Sequence, residues 1–446
     1  MLTETLHTQL AQIVSDEAIT NETPTVDGKR PTLGVAPKSV TELAAVVGEL
    51  NRAEAATILV GGGTMLDLGA PPTAAEVALC TGNLRAIAGY QPADLIVTAE
   101  AGVTVASLQE TLREHGQMLP LEVPLPDRAT IGGAVAANAC GPLRYMFGTA
   151  KDLVMGMQFV QGDGTLVKSG GEVVKNVAGF GLHKLHVGAL GTLGVIATAT
   201  FKVYPLPKAD QTLVFTFADS EAAFTAAAAI RAHQPAAVVV GNAVAQQCLF
   251  GAVRGAHVLL VRFMGAQGAV KRQVRDASDA GAEAGANETE VVGEPESASL
   301  WQQCVDVGAD SSPENILFQA NAVPSQLRHV YTELARSAEP LSVGVGVVAD
   351  PLSGSLQCGI LAAAEANQVS VDQTSPVAAL LSFLHHARAV SQEHGGSLVL
   401  QRGTVALKTA FDVWGPSPQG LEIMKNLKQT FDPHHILNPG RFVSGI

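Results

Sequence analysis

Apolar and polar positions along the first part of the chain alternate between a helical and an extended period. Ser39-Val40-Thr41-Glu42 forms a capping box, which predicts a helix that continues through Asn51. The short apolar run Thr57–Val60 then predicts a buried strand. Asp163-Gly164 lies between two extended runs and predicts a hairpin with a primed turn. The same pattern predicts strands at 77–80 and 95–99, and a helix over 104–115 that ends at Gly116.

The pattern changes after the proline-rich stretch 204–210. Glycine-rich turns give way to alanine-rich helices such as 221–233, separated by strands such as 257–263. Because 446 residues exceed what one core usually organises, we expect two domains with a boundary near Pro207. The second domain has the order of elements of a ferredoxin-like α+β sheet, and no tandem repeat is evident in the sequence.

Charge and cysteine spacing limit the possible classes of function. The net charge of −13 argues against nucleic-acid binding, which needs a basic face. The five cysteines lie far apart, so we expect no metal site and no iron–sulfur cluster in this chain. The first twenty residues carry Glu4 and no apolar signal-peptide core, and no uncharged run reaches the length of a membrane span. We therefore expect a cytoplasmic protein without a transmembrane segment.

A glycine-rich loop, Gly61-Gly62-Gly63-Thr64, directly follows the first buried strand. Successive backbone amides in such a turn form a concave anion site, and Thr64 adds a hydroxyl donor, which suits a pyrophosphate. The alternative is a turn whose glycines serve tight packing only. Gly344–Ala349 matches the dinucleotide fingerprint, but Asp350-Pro351 follows where a helix must begin, so we reject it. No glycine loop ends in the Gly-Lys-Ser/Thr of ATP-binding loops.

Further glycine-rich stretches follow at positions that suit a long ligand lying against the main chain. They are Thr130-Ile131-Gly132-Gly133, Asn138-Ala139-Cys140-Gly141 and Gly188–Ile196. In this order they resemble the FAD-binding domain of the vanillyl-alcohol oxidase superfamily, which is also named after para-cresol methylhydroxylase. The resemblance covers roughly residues 30–207, and Phe431–Val443 resembles the C-terminal return of that superfamily to the flavin.

Within that superfamily the chain resembles the smaller FAD-binding subunits of bacterial glycolate oxidases. The resemblance depends on GQMLPLEVPLPDRATIGG at 116–133, VVKNVAGF at 173–180, GALGTLGVI at 188–196 and the stretch 412–446. It implies a two-domain α+β protein, with a vanillyl-alcohol-oxidase-like FAD-binding fold and an α+β, ferredoxin-like cap domain. The implied segments are a lead-in at 1–29, the FAD domain at 30–207, the cap at 208–400 and the C-terminal return at 401–446.

The resemblance also implies which residues hold FAD. The expected set is Gly61, Gly62, Gly63, Thr64, Met65, Thr130, Ile131, Gly132, Gly133, Asn138, Gly141, Gly191, Gly194, Val195, Ile196, Asn438 and Arg441. Relatives with a histidyl-linked flavin carry a histidine in the first glycine loop, where this chain has Gly63 and Thr64. We therefore expect non-covalent FAD. Cys140 occupies a small-residue position, where a packed thiol is expected rather than a cysteinyl link.

The sequence assigns no catalytic residue. His385 and His386 are adjacent in a predicted helix, so their side chains point about 100° apart and suit joint ligation poorly. His183 and His186 lie nearer the flavin motifs, and Arg402 is a candidate for binding an anionic group. For each of these residues a packing role or a structural ion pair is the alternative.

The resemblance implies a function that depends on partners. Such complexes oxidise a 2-hydroxy acid such as glycolate, and they pair this subunit with a larger flavin subunit and an iron–sulfur subunit. The partners can bring the chain to the inner face of the membrane. Two alternatives stay open: a freestanding FAD-dependent oxidoreductase of hydroxy acids or alcohols, and a noncatalytic scaffold that contains FAD.

Overall fold

The computed structural model of the chain describes residues 2–171, 180–251, 253–307, 309, 315–338, 341, 344–361 and 375–446. The chain divides into two compact units. The first comprises Met1–Cys140, Phe147–Pro205 and Pro416–Ile446, and the second comprises Gly141–Met146 and Leu206–Gly415. Among the residues that the structure describes, no helix has the length and apolar character needed to cross a bilayer.

The elements of regular structure follow one another in mixed order. The strands are β1 (Ile19–Thr20), β2 (Leu33–Val35), β3 (Thr57–Val60), β4 (Val77–Cys80), β5 (Ile87–Gln91), β6 (Ile96–Glu100), β7 (Gln117–Met118), β8 (Val154–Val160), β9 (Leu166–Gly170), β10 (Val195–Lys202), β11 (Tyr204–Pro205), β12 (Ala209–Phe217), β13 (Ala237–Asn242), β14 (His257–Gly265), β15 (Glu288–Val292), β16 (Ile316–Asn321), β17 (Gly344–Asp350), β18 (Ser355–Leu361) and β19 (Leu398–Arg402). The helices are α1 (Leu2–Leu10), α2 (Val40–Arg52), α3 (Val105–Arg113), α4 (Ile131–Ala136), α5 (Arg144–Phe147), α6 (Ala150–Leu153), α7 (His183–His186), α8 (Ser220–Ile230), α9 (Ala243–Phe250), α10 (Gln267–Glu283), α11 (Glu296–Asp306), α12 (Leu327–Ser337), α13 (Ser375–Glu393), α14 (Val405–Ala410) and α15 (Leu421–Phe431).

The first unit contains a mixed sheet of four strands, in which β1 is antiparallel to β2, and an antiparallel sheet of five strands. The smaller sheet has the order β1-β2-β4-β3, with β2, β4 and β3 parallel. The larger sheet has the order β5-β6-β10-β8-β9 and is antiparallel. Its central strand, β10, alternates between two cores: Val195 and Ala197 pack with α2 residues such as Leu43, whereas Ile196 and Ala199 pack with residues of α3 and α4. Because both faces of β10 are covered, the strand is buried along almost its whole length, including Thr198 and Thr200.

The predicted start of α2 is confirmed. The Oγ of Ser39 accepts a hydrogen bond from the Glu42 amide at 3.1 Å, and the Glu42 carboxylate accepts one from the Lys38 amide at 2.7 Å. The strand predicted at 57–60 is also confirmed, and Gly116 has a positive φ of 66° just beyond α3. The helix and the strands form where their capping residues and apolar runs indicate.

The hairpin at Asp163-Gly164 is confirmed, but the prediction of a primed turn is wrong. The Gly164 amide donates to the Gln161 carbonyl at 3.0 Å, and the Gln161 amide donates to the Thr165 carbonyl at 2.9 Å. Of the three loop residues only Gly164 has a positive φ, 89°. A primed turn needs a positive φ at one or both of its central positions, but neither Gly162 nor Asp163, the central residues of the turn closed by the Gly164 amide, has one. The hairpin therefore has a three-residue loop with Gly164 in the left-handed position.

The second unit is one antiparallel sheet of eight strands, built from two halves of the same topology. Its order is β15-β12-β14-β13-β17-β18-β16-β19. The first half, β12 to β15, and the second, β16 to β19, each have the strand order of a ferredoxin-like βαββαβ unit. They join where β13 pairs with β17, at Val240↔Ala349 and Gly241↔Val348. The predicted ferredoxin-like sheet is confirmed, whereas the expectation of no repeat misses this duplicated topology.

The observed division of the chain differs from the predicted segments in two places. Strand β19 runs through the predicted boundary at 401, and the chain returns to the first unit only at Pro416. Gly141–Met146 belongs to the second unit, whereas the predicted segments place it in the FAD domain. The rejected fingerprint at Gly344–Ala349 lies within strand β17 and therefore forms no phosphate-binding turn.

Candidate FAD site

An elongated trough lies within the first unit, beside the carboxyl end of β3. It encloses about 790 Å³ free of protein atoms, and that volume includes space open to solvent. Its lining residues are Leu59, Val60, Gly61, Gly62, Gly63, Thr64, Met65, Leu66, Leu68, Thr81, Thr130, Gly132, Gly133, Ala136, Ala137, Leu190, Gly191, Gly194, Val195, Ile196, Asn438 and Arg441. Five stretches that are separated in sequence, at 59–68, 81, 130–137, 190–196 and 438–441, therefore meet at one surface.

Most of the residues expected to hold FAD line this trough, but three do not. Ile131 is fully buried in the core as the first residue of α4. Asn138 follows α4 with a positive φ of 49° and a buried side-chain oxygen. Gly141 starts the short segment that packs with the second unit. The expected phrase at 173–180 lies outside the described residues except for Phe180.

The loop after β3 combines close packing with free amides. A Cβ on Gly62 would lie 1.7 Å from the Arg128 carbonyl oxygen, so only glycine lets the two main chains touch. Gly63 has a positive φ of 74°. Within the described parts of the chain, the amides of Gly62, Gly63 and Thr64 donate no hydrogen bond. Consecutive unused donors of this kind suit an anionic ligand such as a diphosphate.

Small residues allow the other walls to approach. Thr130 caps α4, because its Oγ1 accepts from the Gly133 amide at 3.4 Å. A Cβ on Gly132 would lie 2.7 Å from the Ala101 Cβ. Gly191 has a positive φ of 72°, and a Cβ there would lie 2.6 Å from a methyl of Leu59. Glycine at these positions therefore serves wall-to-wall packing as well as ligand access.

The C-terminal segment closes one side of the trough. The Oδ1 of Asn438 accepts from the Leu59 amide at 3.0 Å, and its Nδ2 donates to the Leu190 carbonyl at 2.5 Å. Arg441 donates from Nη2 to the carbonyls of Leu66 at 2.5 Å and Leu68 at 2.6 Å. Burial lowers the pKa of Arg441, and the carboxylates of Asp27 and Asp67 oppose that shift. The guanidinium remains charged and is the one ionisable group in the lining described above.

None of the histidines that the sequence singles out lines the trough. His183 is buried, and its Nδ1 lies 3.1 Å from the Oγ of Ser169. His186 packs on the Phe159 ring, with 3.8 Å between centroids. His385 and His386 are both exposed: His385 packs edge-on against Phe411, and His386 is paired with Glu333 at 3.1 Å. Arg402 donates to the Ala309 carbonyl at 3.2 Å. Each of these contacts is a packing or structural interaction.

Several lining residues lie outside the set expected from the sequence; they are Leu59, Val60, Leu66, Leu68, Thr81, Ala136, Ala137 and Leu190. Topology gives the signal for some of them. Thr81 directly follows β4, the parallel neighbour of β3, and the carboxyl ends of parallel strands meet at one edge of a sheet. Ala136 and Ala137 lie one turn beyond Gly132 and Gly133, at the end of the helix that Thr130 caps. Nothing in the local sequence indicates Leu66 or Leu68.

Comparisons with known families and proteins agree with this architecture. Residues 31–170 match the family described as FAD binding domain, and residues 206–442 match the one described as FAD linked oxidases, C-terminal domain. The chain is 42% identical over 130 residues to the glycolate oxidase subunit GlcE of Escherichia coli, across 29% of this chain and 37% of GlcE. It is 23% identical over 427 residues to the glycolate oxidase subunit GlcD of Bacillus subtilis, across 92% of this chain and 88% of that one. It is 26% identical over 451 residues to a D-lactate dehydrogenase of Anaerostipes hadrus, across 96% and 92% of the two chains.

Solved structures share the fold at low sequence identity. p-Cresol methylhydroxylase superposes with a TM-score of 0.74 at 16% identity, covering 99% of this chain and 96% of that one. An alkyldihydroxyacetonephosphate synthase superposes with a TM-score of 0.73 at 14% identity, covering 98% and 84%. The fold is therefore of the vanillyl-alcohol oxidase and para-cresol methylhydroxylase type, as the glycine-rich motifs predict.

The fold and the family matches together define the class of the protein. The match at 206–442 covers more than half of the chain, so the protein belongs to the FAD-linked oxidase family. It is accordingly an FAD-dependent oxidoreductase. Among its relatives are proteins named as subunits of glycolate oxidase, D-lactate dehydrogenase and D-2-hydroxyglutarate dehydrogenase.

Proposed function

We propose that the trough of the first unit holds FAD without a covalent link. The amides of Gly62, Gly63 and Thr64 would bind the diphosphate, since they have no other partner in the described part of the chain. The wall of Thr130, Gly132 and Gly133 and the wall of Gly191, Gly194, Val195 and Ile196 would enclose the cofactor, with Asn438 and Arg441 at the C-terminal side. The loop contains no histidine that could form a histidyl link.

When bound, FAD supplies an isoalloxazine ring that accepts a hydride. The chain's own lining residues contribute shape, exclusion of water and hydrogen-bond donors. The lining given above contains no His, Asp, Glu, Lys or Tyr, so it offers no general base for a substrate hydroxyl. The group that removes the proton must come from outside the trough.

We propose further that the chain is a flavin subunit of a 2-hydroxy-acid dehydrogenase complex of the glycolate oxidase type. The observation that supports this proposal is the similarity to two glycolate oxidase subunits: 42% identity to GlcE over 130 residues and 23% identity to GlcD over 427 residues. In this function electrons pass from the hydroxy acid through flavin to a partner iron–sulfur subunit, and a larger flavin subunit is the second partner. In the described part of the chain, no group of three or more His, Cys, Asp or Glu side chains could hold a metal ion, so the relay would need the partner. The complex would work in the cytoplasm, at the inner face of the membrane through its partners.

Two other functions make different predictions. A freestanding hydroxy-acid or alcohol oxidoreductase is supported by matches over nearly the whole chain to proteins that are named as dehydrogenases and not as subunits, such as the D-lactate dehydrogenase. A noncatalytic scaffold would bind FAD for stability alone, because any ligand of the folded state stabilises it.

Purification of an affinity-tagged chain from its native host distinguishes these functions. We expect two further chains to copurify, with FAD in excess of one per tagged chain and with iron and acid-labile sulfide in the eluate. Recovery of the bare chain with brisk turnover of glycolate or D-lactate would support the freestanding enzyme instead. A flavin that is never reduced, even with all copurifying chains present, would support the scaffold.

A further inference from the structure

The helix α15 and the loop after it contain a fully buried ion pair. Lys428 is 1% exposed and Asp432 is 0% exposed, and their side chains lie 2.7 Å apart. Burial lowers the pKa of Lys428, and the Asp432 carboxylate opposes that shift. Charges removed from water in this way are tolerated only where further hydrogen bonds satisfy them.

Those further bonds connect three separate segments of the first unit. Besides Asp432, the Nζ of Lys428 donates to the Thr192 carbonyl at 2.8 Å and to the Leu437 carbonyl at 2.9 Å. The Asp432 carboxylate accepts from the amides of Ile436 at 3.1 Å and Leu437 at 2.9 Å. The pair therefore fastens α15, the loop at 432–438 and the glycine turn at 188–194 to one another.

Two of the fastened segments form walls of the trough. Thr192 lies between Gly191 and Gly194, which both line it. Leu437 directly precedes Asn438, whose main-chain amide donates to the Thr57 carbonyl at 2.8 Å and whose side chain bonds Leu59 and Leu190. Neither Lys428 nor Asp432 lines the trough, so any effect on the cofactor must pass through these walls.

We infer that Lys428 and Asp432 are positioning residues for FAD: their buried pair holds the 188–194 turn and Asn438 where the cofactor requires them. Removing the lysine leaves the buried Asp432 carboxylate without its counter-charge, and the carbonyls of Thr192 and Leu437 lose the donor that the lysine supplies. The walls then shift to satisfy these groups, and the trough loses its shape. The inference rests on the assignment of this trough to FAD.

The second unit offers a matched control. Arg262 and Asp210 form another buried ion pair, with 2.6 Å between Nη2 and Oδ2, and both side chains are less than a tenth exposed. The Asp210 carboxylate also accepts from the Oγ of Ser297 at 3.0 Å. This pair has no residue in the trough. Breaking it should cost stability in the same way without a specific effect on FAD.

The test compares Lys428→Met and Arg262→Met in the full-length chain. FAD is first removed from each protein. One sample of the apo protein is unfolded in urea. Into a second, folded sample FAD is titrated back while quenching of its fluorescence is recorded. We expect both substitutions to lower the urea midpoint. Only Lys428→Met should weaken FAD binding, about tenfold to a hundredfold, by analogy with the loss on mutation of residues that orient metal ligands. It should also alter the visible circular dichroism of the bound flavin.

A second variant, Asp432→Asn, covers the case in which Lys428→Met does not fold, because it keeps an acceptor for the Ile436 amide. Wild-type FAD affinity in folded Lys428→Met or Asp432→Asn would overturn the inference. Equal weakening by Arg262→Met would overturn it too, since the effect would then be general instability. A Gly63→Asp variant with unchanged affinity would instead show that the trough is not the FAD site.

Discussion

Two neighbouring glycines of the loop after β3 meet different requirements. Gly62 must lack a Cβ because the Arg128 carbonyl occupies that position. At Gly63 an added Cβ would meet only a methyl of Leu66, at 3.8 Å, so a side chain there would enter open space. The positive φ of Gly63, 74°, is one that asparagine and aspartate tolerate better than most residues. Gly63 is therefore the position where charge can be tested with little disturbance of packing.

Gly63→Asp should weaken FAD binding much more than Gly63→Asn does. The two side chains have nearly the same size and tolerance of the left-handed region, but only aspartate brings a negative charge beside the diphosphate. We expect a difference of at least about tenfold in the dissociation constant, or about 1.4 kcal/mol. Fluorescence titration of FAD into the apo variants measures it. Equal affinities in the two folded variants would contradict the diphosphate assignment.

His186 makes the stability of the first unit sensitive to acid. The side chain is 1% exposed, and neither ring nitrogen has a hydrogen-bond partner in the described residues. Burial lowers its pKa from 6.5 to about 4, and the nearby His183 adds to the shift. In the unfolded chain the imidazole takes up a proton near pH 6.5, whereas in the folded chain it stays neutral down to about pH 4.

The free energy of unfolding should therefore fall as the pH falls from about 6.5 to about 4, by about 3 kcal/mol from this residue. His186→Leu should remove that part of the pH dependence, whatever it does to stability at neutral pH. Urea unfolding of the apo protein at several pH values measures the slope. An unchanged slope in His186→Leu would show that other groups cause the acid sensitivity.

At the scale of single residues, the sequence predicts those members of the site whose residue type is set by a special requirement of the backbone. Glycines such as Gly63 and Gly191 are recognisable because main-chain approach or a positive φ requires them. Leu66 and Leu190 line the same trough, but apolar residues of that kind occur throughout the core, so their positions follow only from the fold. Asn138 matches its motif, yet its place at the end of α4 puts it beside the trough rather than in its lining.

At the scale of elements, local signals predict where a strand or helix lies better than how the strands pair. The strand at Thr57–Val60 and the helix capped by Ser39 could be predicted because the capping residue and the apolar run are local. The duplicated topology of the second unit could not. Strand order depends on pairing between distant segments, such as Val240 with Ala349, and two halves with the same order need not share sequence.

The hairpin between β8 and β9 allows a test of the turn geometry. A Cβ on Gly164 would be strained by the positive φ and would also lie 2.8 Å from the Cα of Gly48 in α2. Gly116 has a similar φ of 66°, but nothing lies within 4 Å of an added Cβ. Gly116→Ala should therefore cost about 1 kcal/mol from strain alone, and Gly164→Ala should cost a further 1–3 kcal/mol, roughly, from overpacking.

Urea unfolding of the two variants measures the difference. A Gly164→Ala protein as stable as Gly116→Ala would contradict the close packing of this turn on α2. FAD affinity should be unchanged in Gly116→Ala, since that residue lies outside the trough.

At the scale of the whole molecule, the cofactor should be dissociable. The loop at 61–64 has no histidine, and Cys140 is not among the residues that line the trough. Acid precipitation should therefore release all FAD into the supernatant, where its absorbance is read. Yellow protein in the pellet would show a covalent link, and Cys140→Ser would then test whether Cys140 forms it.

The most direct test of the proposed function is anaerobic reduction of the bound flavin by a 2-hydroxy acid. Glycolate, D-lactate and D-2-hydroxyglutarate are each mixed with the purified chain and with the chain copurified with its partners, and the visible flavin absorbance is followed. We predict rapid bleaching in the complex and little or none in the chain alone, because in the proposed function turnover depends on the partner subunits. Bleaching of the isolated chain at the rate of the complex would contradict the proposal of a partner-dependent subunit, and no bleaching in either would contradict hydroxy-acid oxidation.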